Sequence, residues 1–355
     1  MKRSLFVVLA WSGAALLGQQ APVPEIPYES VPNFLNVGGP VLGEVSGIAV
    51  NSKKHIFVFS RGGTSGPAYG AAAAQLLEFA PDGSFLREIG RNLYAWSYAH
   101  AVRVDKDDNI WAIDKGSDMI VKFNPQGRVV MVFGRKKEAS DEAAGPWTRV
   151  TPPRPAVDGQ FRQPTDVTWD PQGNIFFSDG YINSRVAKYD KNGDWVKQWG
   201  DRGAKPGEFN TPHSIASDAH GNIYVADRGN RRIQVFDGDG NFLREIRIDV
   251  PIPPDAHPWM GNQPSPEGAA AQNGAPWAIC ITPGPTQFLY SADAFPGRVY
   301  KLSLDGKVLG VLGRSGRQPK QFGWIHEMAC PSENEIYVAE LLNWRAQKLL
   351  LHPAK

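Results

Sequence analysis

The chain repeats itself, and the length and pattern of that repeat constrain the fold more than any other feature. Pro164–Gly200 reads "PTDVTWDPQGNIFFSDGYINSRVAKYDKNGDWVKQWG", and Pro212–Arg247 reads "PHSIASDAHGNIYVADRGNRRIQVFDGDGNFLREIR". Each runs through an apolar strand, an acidic turn, "GNIFFSD" or "GNIYVAD", a polar turn, "RVAKYD" or "RIQVFD", a glycine and a last strand. Four short strands in a unit of about 40 residues, with Gly and Asp at the turns, are the signature of a propeller blade. More divergent copies occupy Ser46–Gly90, Ala99–Gly134 and Pro276–Gly313, and a sixth, Ile325–His352, ends without a fourth strand. The expectation is all-β: a six-bladed β-propeller with NHL-like repeats, one domain from residue 30 to 355. Length alone, 355 residues at about 150 per domain, suggests two domains. The repeat overrides it.

A ring of blades has to close, because an open last blade leaves unpaired edges. The segment "NFLNVGG", Asn33–Gly39, precedes the first unit and reads as the strand that completes blade six. Three stretches fall outside the repeat: Gly62–Ala74, Lys136–Phe161 and Asp249–Ala275. Long loops of this kind serve as functional rims or as loose surface excursions.

Aligning the blades turns sequence into geometry. The residue opening each innermost strand is Ser46, His100, Thr165, His213, Trp277 and His326 in blades one to six. Histidine stands there in blades two, four and six and in no other, although the chain holds only seven histidines. Equivalent positions in alternate blades lie about 120° apart around the axis of a six-bladed ring. The three imidazoles therefore converge, as in a catalytic zinc site with open positions. Copper, iron and nickel also accept imidazole. A lone channel histidine is more often a hydrogen-bonded residue, but three on one repeat position argue for a metal.

A second repeat position carries charge. Fifteen residues after Ser46 and after His213 come Arg61 and Arg228, and blade three has Gly180 there, followed by Tyr181. Two guanidiniums and a phenol thus crowd the mouth beside the histidines. Arginine is the preferred clamp for a carboxylate, because its planar fork donates two parallel hydrogen bonds.

The N-terminus stands apart. Lys2 and Arg3 precede an apolar run, Leu5–Leu17, and a Pro-rich stretch follows. A basic start and a short apolar core read as a secretory signal peptide over residues 1–21. The run is shorter than the roughly 20 residues a membrane span needs. The expected location is secreted or periplasmic, with no membrane span in the mature chain. The charge balance, 38 Lys and Arg against 36 Asp and Glu, has no basic block, which excludes a nucleic-acid surface. A small-molecule or peptide partner and a monomer are expected. Cys280 and Cys330 sit in neighbouring blades at offsets that let them face each other. A disulfide and two free thiols both stay open.

At these residues the chain resembles the peptidyl-α-hydroxyglycine α-amidating lyases, zinc-dependent six-bladed propellers of the wider NHL-repeat class. The resemblance runs over essentially the whole mature chain and is strongest over Ser178–Phe236. It implies zinc on His100 in "YAHAV", His213 in "TPHSIA" and His326 in "WIHEMA". It further implies a catalytic Tyr181 in "DGYINSR" and active-site Arg61 in "FSRGG" and Arg228 in "ADRGN". A structural calcium on the axis would fall to Ile48, Val102 and Glu327, with Glu in place of the family's Asp. Two departures stand out. Trp324 replaces the methionine two residues before the third histidine, and Ile182 replaces a cysteine after the tyrosine.

The implied reaction takes a peptidyl- or acyl-α-hydroxyglycine to an amide and glyoxylate. Zinc would act on the hydroxyl as a Lewis acid, Tyr181 would be the base, and the two arginines would grip the carboxylate. Two other readings compete. One is a metal-dependent propeller hydrolase, lactonase-like, whose calcium would want carboxylate and Asn ligands. The other is a non-catalytic NHL-type binding module.

Overall fold

The computed structural model describes residues 23–35, 38, 41–62, 74–137, 154–257 and 272–352. The signal-peptide reading and most of the three non-repeat segments lie outside these residues. Within them run 24 strands, numbered in chain order, in six four-stranded antiparallel sheets. The fold is a six-bladed β-propeller. Blade one runs from β2 (Val45–Val50) to β5 (Phe85–Ile89), and blade two from β6 (Ala99–Val104) to β9 (Val129–Phe133). Blade three spans β10 (Asp166–Trp169) to β13 (Trp195–Trp199), and blade four β14 (Pro212–Ser217) to β17 (Phe242–Ile246). Blade five spans β18 (Ala278–Ile281) to β21 (Val308–Leu312).

Blade six holds β22 (Ile325–Ser332), β23 (Glu335–Glu340) and β24 (Arg345–Leu351), and its fourth strand comes from the N-terminal side. That strand is β1 (Tyr28–Ser30), pairing Tyr28 with Leu351 and Ser30 with Leu349. Closure by an N-terminal strand is therefore as expected, but Asn33–Gly39 is not that strand. Asn33 has φ 49°, a left-handed conformation that no strand interior tolerates. Phe34 instead drops into the seam between blades six and one, its ring 5.4 Å from that of Tyr337. Just upstream, Ile26 N–H donates to Val311 O at 2.8 Å, so the same segment also ties down the outer edge of blade five.

The core is divided among the seams between blades. Each of six buried apolar clusters joins two neighbouring blades, with Phe59 meeting Trp96 between one and two, and Phe177 meeting Phe133 between three and two. This follows from strand alternation: both faces of every middle strand look at a neighbouring sheet, so β11 (Ile175–Asp179) is buried along its whole length.

Two polar devices recur with the repeat. At the inner hairpins an acidic or Asn side chain closes its own turn. Asp170 Oδ1 accepts from Gln172 N at 3.0 Å and Asn174 N at 2.8 Å, and Asp218 does the same with His220 and Asn222. At the end of the second strand in blades three, four and six a buried carboxylate ties down the loop before the innermost strand, where blade one has Ser60 accepting from Gly43 N. Asp179 accepts from Arg162 N, Asp227 from Asn210 N and Glu340 from Gly323 N. Each of these three also pairs with an arginine on the next strand: Arg185, Arg232 and Arg345.

Candidate functional site

The three histidines owe their aim to backbone irregularity. The pairing of β6 skips from Ala99 to Ala101, that of β14 from Pro212 to Ser214, and that of β22 from Ile325 to Glu327. His100, His213 and His326 are the skipped residues. A bulge leaves its residue unpaired and redirects its side chain, here into the channel.

The imidazoles meet there, each buried, with ring centres 4.8, 4.5 and 4.8 Å apart and a set of ligand atoms all within 4.8 Å of one another. Each Nδ1 bonds a backbone carbonyl of the next blade: His100 to Thr165 O at 2.7 Å, His213 to Trp277 O at 2.6 Å and His326 to Ser46 O at 2.7 Å. The acceptors are the residues that hold the histidine position in the odd blades. A carbonyl can only accept, so each Nδ1 carries the proton and each Nε2 keeps its lone pair. Burial first, then the neighbouring imidazoles for His100, and the nearby Arg228 for His213 and Arg61 for His326, hold all three well below the ordinary histidine value. Three neutral, tautomer-locked nitrogen donors fit a zinc-type ion. Among the described residues this is the group of histidine, cysteine and acidic side chains that could hold a metal.

Tyr181 caps the set, its hydroxyl 3.1 Å from His213 Nε2 and 3.4 Å from His100 Nε2. The preceding Gly180 is obligatory, since a Cβ there would lie 1.9 Å from Pro212 O. Burial alone would raise the phenol's pKa. Lys115, Arg228 and Arg61 outweigh it and bring Tyr181 down to about 8.

The two arginines differ. Arg61 donates from Nε to Ala99 O at 2.9 Å and from Nη1 to Glu44 at 2.9 Å and Tyr98 Oη at 3.1 Å. Its Nη2 lies 3.4 Å from His326 Nε2. Arg228 is 8% exposed, stacks 4.0 Å over Trp277, and has Nε and Nη1 buried with no hydrogen-bond partner among the described residues. A buried guanidinium with idle donors is costly unless an anion completes it. Of the two arginines Arg228 is the more open, and Arg61 is already partly engaged by Glu44.

Sequence reasoning missed Lys115. It stands fifteen residues after His100, the spacing that placed Arg61 and Arg228, and its ammonium lies 3.6 Å from the centre of the Tyr181 ring. Burial draws it below the ordinary lysine value, with Tyr181 acting in the opposite sense. Trp324 forms an aromatic wall with Trp277, ring centres 4.7 Å apart. Ile182 leaves no cysteine there, and the chain's two cysteines bond to each other, joining β18 to β22 as Cys280–Cys330.

Deeper on the axis a calcium ion does not fit. Ile48 and Val102 turn their N–H groups, at 2.8 and 3.0 Å, onto Glu327 Oε2. The Arg103 guanidinium sits where a cation would, 3.0 Å from Glu327 Oε1 and in a fork with Asp166. Calcium wants six to eight oxygen ligands, and the Asp166 and Glu327 carboxylates and the Met328 and Ile279 carbonyls already face a guanidinium.

Comparison with known proteins bears on this site. Residues 209–236, which include His213 and Arg228, match the NHL repeat. Peptidyl-glycine alpha-amidating monooxygenase A of Xenopus laevis is 27% identical over 330 residues, 84% of this chain and 31% of its own length. Peptidyl-alpha-hydroxyglycine alpha-amidating lyase 1 of Drosophila melanogaster is 25% identical over 277 residues, 74% of this chain and 47% of its own length. The chain thus spans less than half of either relative. The crystal structure of selenomethionine-substituted virginiamycin B lyase from Staphylococcus aureus has a TM-score of 0.54 at 13% identity, covering 92% of this chain and all of that one. That likeness is one of fold. The chain is a six-bladed propeller with one stretch that matches the NHL repeat and with sequence similarity to amidating enzymes.

Proposed function

We propose that this protein is a zinc-dependent carbon–nitrogen lyase that cleaves a peptidyl- or acyl-α-hydroxyglycine to an amide and glyoxylate. The observation that carries the reading is the Tyr181 hydroxyl against two of three neutral, converging histidines, beside an Arg228 whose Nε and Nη1 have no hydrogen-bond partner among the described residues. Zinc bound to the three Nε2 atoms would supply a Lewis acid for the substrate hydroxyl. Arg228, with Arg61 across the mouth, receives the substrate carboxylate. Tyr181 accepts the hydroxyl proton. The O–H pair becomes the second bond of the aldehyde C=O, the C–N bond breaks, and its electron pair leaves on nitrogen. The proton taken by Tyr181 then completes the amide, so no outside reagent is consumed. Lys115, Arg228 and Arg61 offset the phenolate while it holds that charge.

The similarity to amidating lyases supports the substrate class, and the Cys280–Cys330 bond supports export to an oxidising compartment. The test is direct. Protein loaded with one equivalent of zinc should release glyoxylate and benzamide in equal amounts from α-hydroxyhippurate. No release above the spontaneous rate would overturn the reading.

A further inference from the structure

The axis below the histidines carries a buried cation supplied by the chain itself. Arg103 lies three residues after His100 on β6. Its Nε and Nη2 donate to the two oxygens of Asp166 at 2.8 and 2.5 Å, and its Nη1 donates to Met328 O at 2.8 Å. Nη2 also reaches Ser214 Oγ and Ile279 O, each at 3.3 Å. Asp166 Oδ2 accepts from Ser214 Oγ at 2.8 Å and from Ile215 N at 3.2 Å. Glu327 closes the network toward Ile48 N of blade one and Val102 N of blade two. Its carboxylate reaches them because position 47 is glycine, where a Cβ would lie 2.7 Å from Glu327 Oε2.

One guanidinium and two carboxylates thus engage the innermost strand of every blade. The three histidine-bearing strands carry the most: Arg103 on β6, Ser214 next to His213, and Glu327 and Met328 next to His326. Bidentate Arg–carboxylate geometry is directional as well as strong; Glu327 Oε1 meets Arg103 Nε as an ion pair at 3.0 Å without a hydrogen bond, and the rest of the buried network is hydrogen-bonded into one arrangement.

We propose that Arg103 replaces a structural axial metal and is a positioning residue for the three histidines, holding their strands at the spacing that lets the imidazoles converge. The proposal rests on the reading of those histidines as metal ligands, and not on the lyase activity. It names a role for a residue that touches neither substrate nor metal.

Two measurements test it, neither of them turnover. The first is thermal melting of the whole protein. The wild type should melt at the same temperature with EGTA and with millimolar calcium chloride. One stoichiometric calcium in the purified protein, with a melting point that EGTA lowers, would overturn the replacement. The second is cobalt(II) binding, read from its visible d–d bands. Arg103→Met should weaken cobalt affinity by about 10–100-fold, the range seen when the supports of metal ligands are removed, and should alter the band pattern. Arg103→Lys keeps the charge but loses the fork. It should fall between the two, and it serves as the second variant where the Met substitution does not fold. A folded Arg103→Met or Arg103→Lys protein with wild-type cobalt affinity and spectrum would end the positioning role. A wild type that binds no cobalt, zinc or copper would instead end the metal-ligand reading itself, and the melting experiment would still decide what stands on the axis.

Discussion

The ammonium of Lys115 lies 3.6 Å from the centre of the Tyr181 ring, and the Arg228 guanidinium lies 5.4 Å from the same centre. Two cations on one phenol favour its ionised form. The Tyr181 pKa stands at about 8 against 10.0 for a free tyrosine. A base must be deprotonated to work, so kcat/KM should rise with pH and level off above about 8. Lys115→Met removes the nearest charge, so the rising limb should move toward 10 and activity at pH 7 should fall. A pH profile that the substitution leaves in place would show that Lys115 does not act on Tyr181.

Tyr181→Phe removes one hydroxyl and leaves the ring over the histidines. Metal content and melting point should be unchanged while turnover falls by roughly 10²–10⁴-fold, the contribution of a positioned acid–base group. Normal glyoxylate release by the Phe protein would make the tyrosine a wall of the channel and no more.

Purified protein should carry about one zinc per chain, as three histidine ligands with an open position require. Replacing His100, His213 or His326 singly with Ala should reduce zinc to a small fraction of that, measured by elemental analysis. Each loss also frees a carbonyl, at Thr165, Trp277 or Ser46, and should cost some stability as well. Undiminished zinc in any of the three variants would remove that residue from the ligand set.

The unequal arginines make a graded prediction. Arg228 has buried donors without partners and Arg61 has Glu44, so Arg228→Lys should harm substrate carboxylate binding more than Arg61→Lys. An esterified or amidated substrate leaves the guanidinium without its anion and should lose on the order of 10²-fold in kcat/KM. Equal rates for charged and neutral substrates would assign both arginines to holding turns.

Cys280 and Cys330 are bonded across the seam between blades five and six, with a sequence separation of 50. Unfolded, unreduced protein should titrate no free thiol. Cys280→Ser should lower stability by about 2–4 kcal/mol, the usual effect of opening a long disulfide loop. Two titratable thiols in unreduced protein exclude the bond.

What could be read from residues alone was whatever the repeat encodes locally. Strand alternation, acidic turns and a spacing of fifteen are short-range patterns, so they marked out six blades, the histidines on every second blade, and Arg61, Arg228 and Tyr181 at the mouth. Lys115 obeys the same spacing and was equally readable. Other features depend on what a distant part of the chain delivers, and only the closed ring decided them. Tyr28–Ser30 pairs with Leu349–Leu351 because the ring brings the chain's two ends together, while Phe34, the better strand former by composition, is needed in a seam. Glu44 meets Arg61, and the odd blades lend carbonyls to the histidines of the even ones, through contacts that no periodicity announces. Arg103 looks from sequence like one more charged strand residue. Burial on the axis, with Asp166 and Glu327 converging from two other blades, is what turns it into the cation at the centre. A charge costs too much to bury alone, so its place is set by partners that only the tertiary fold assembles.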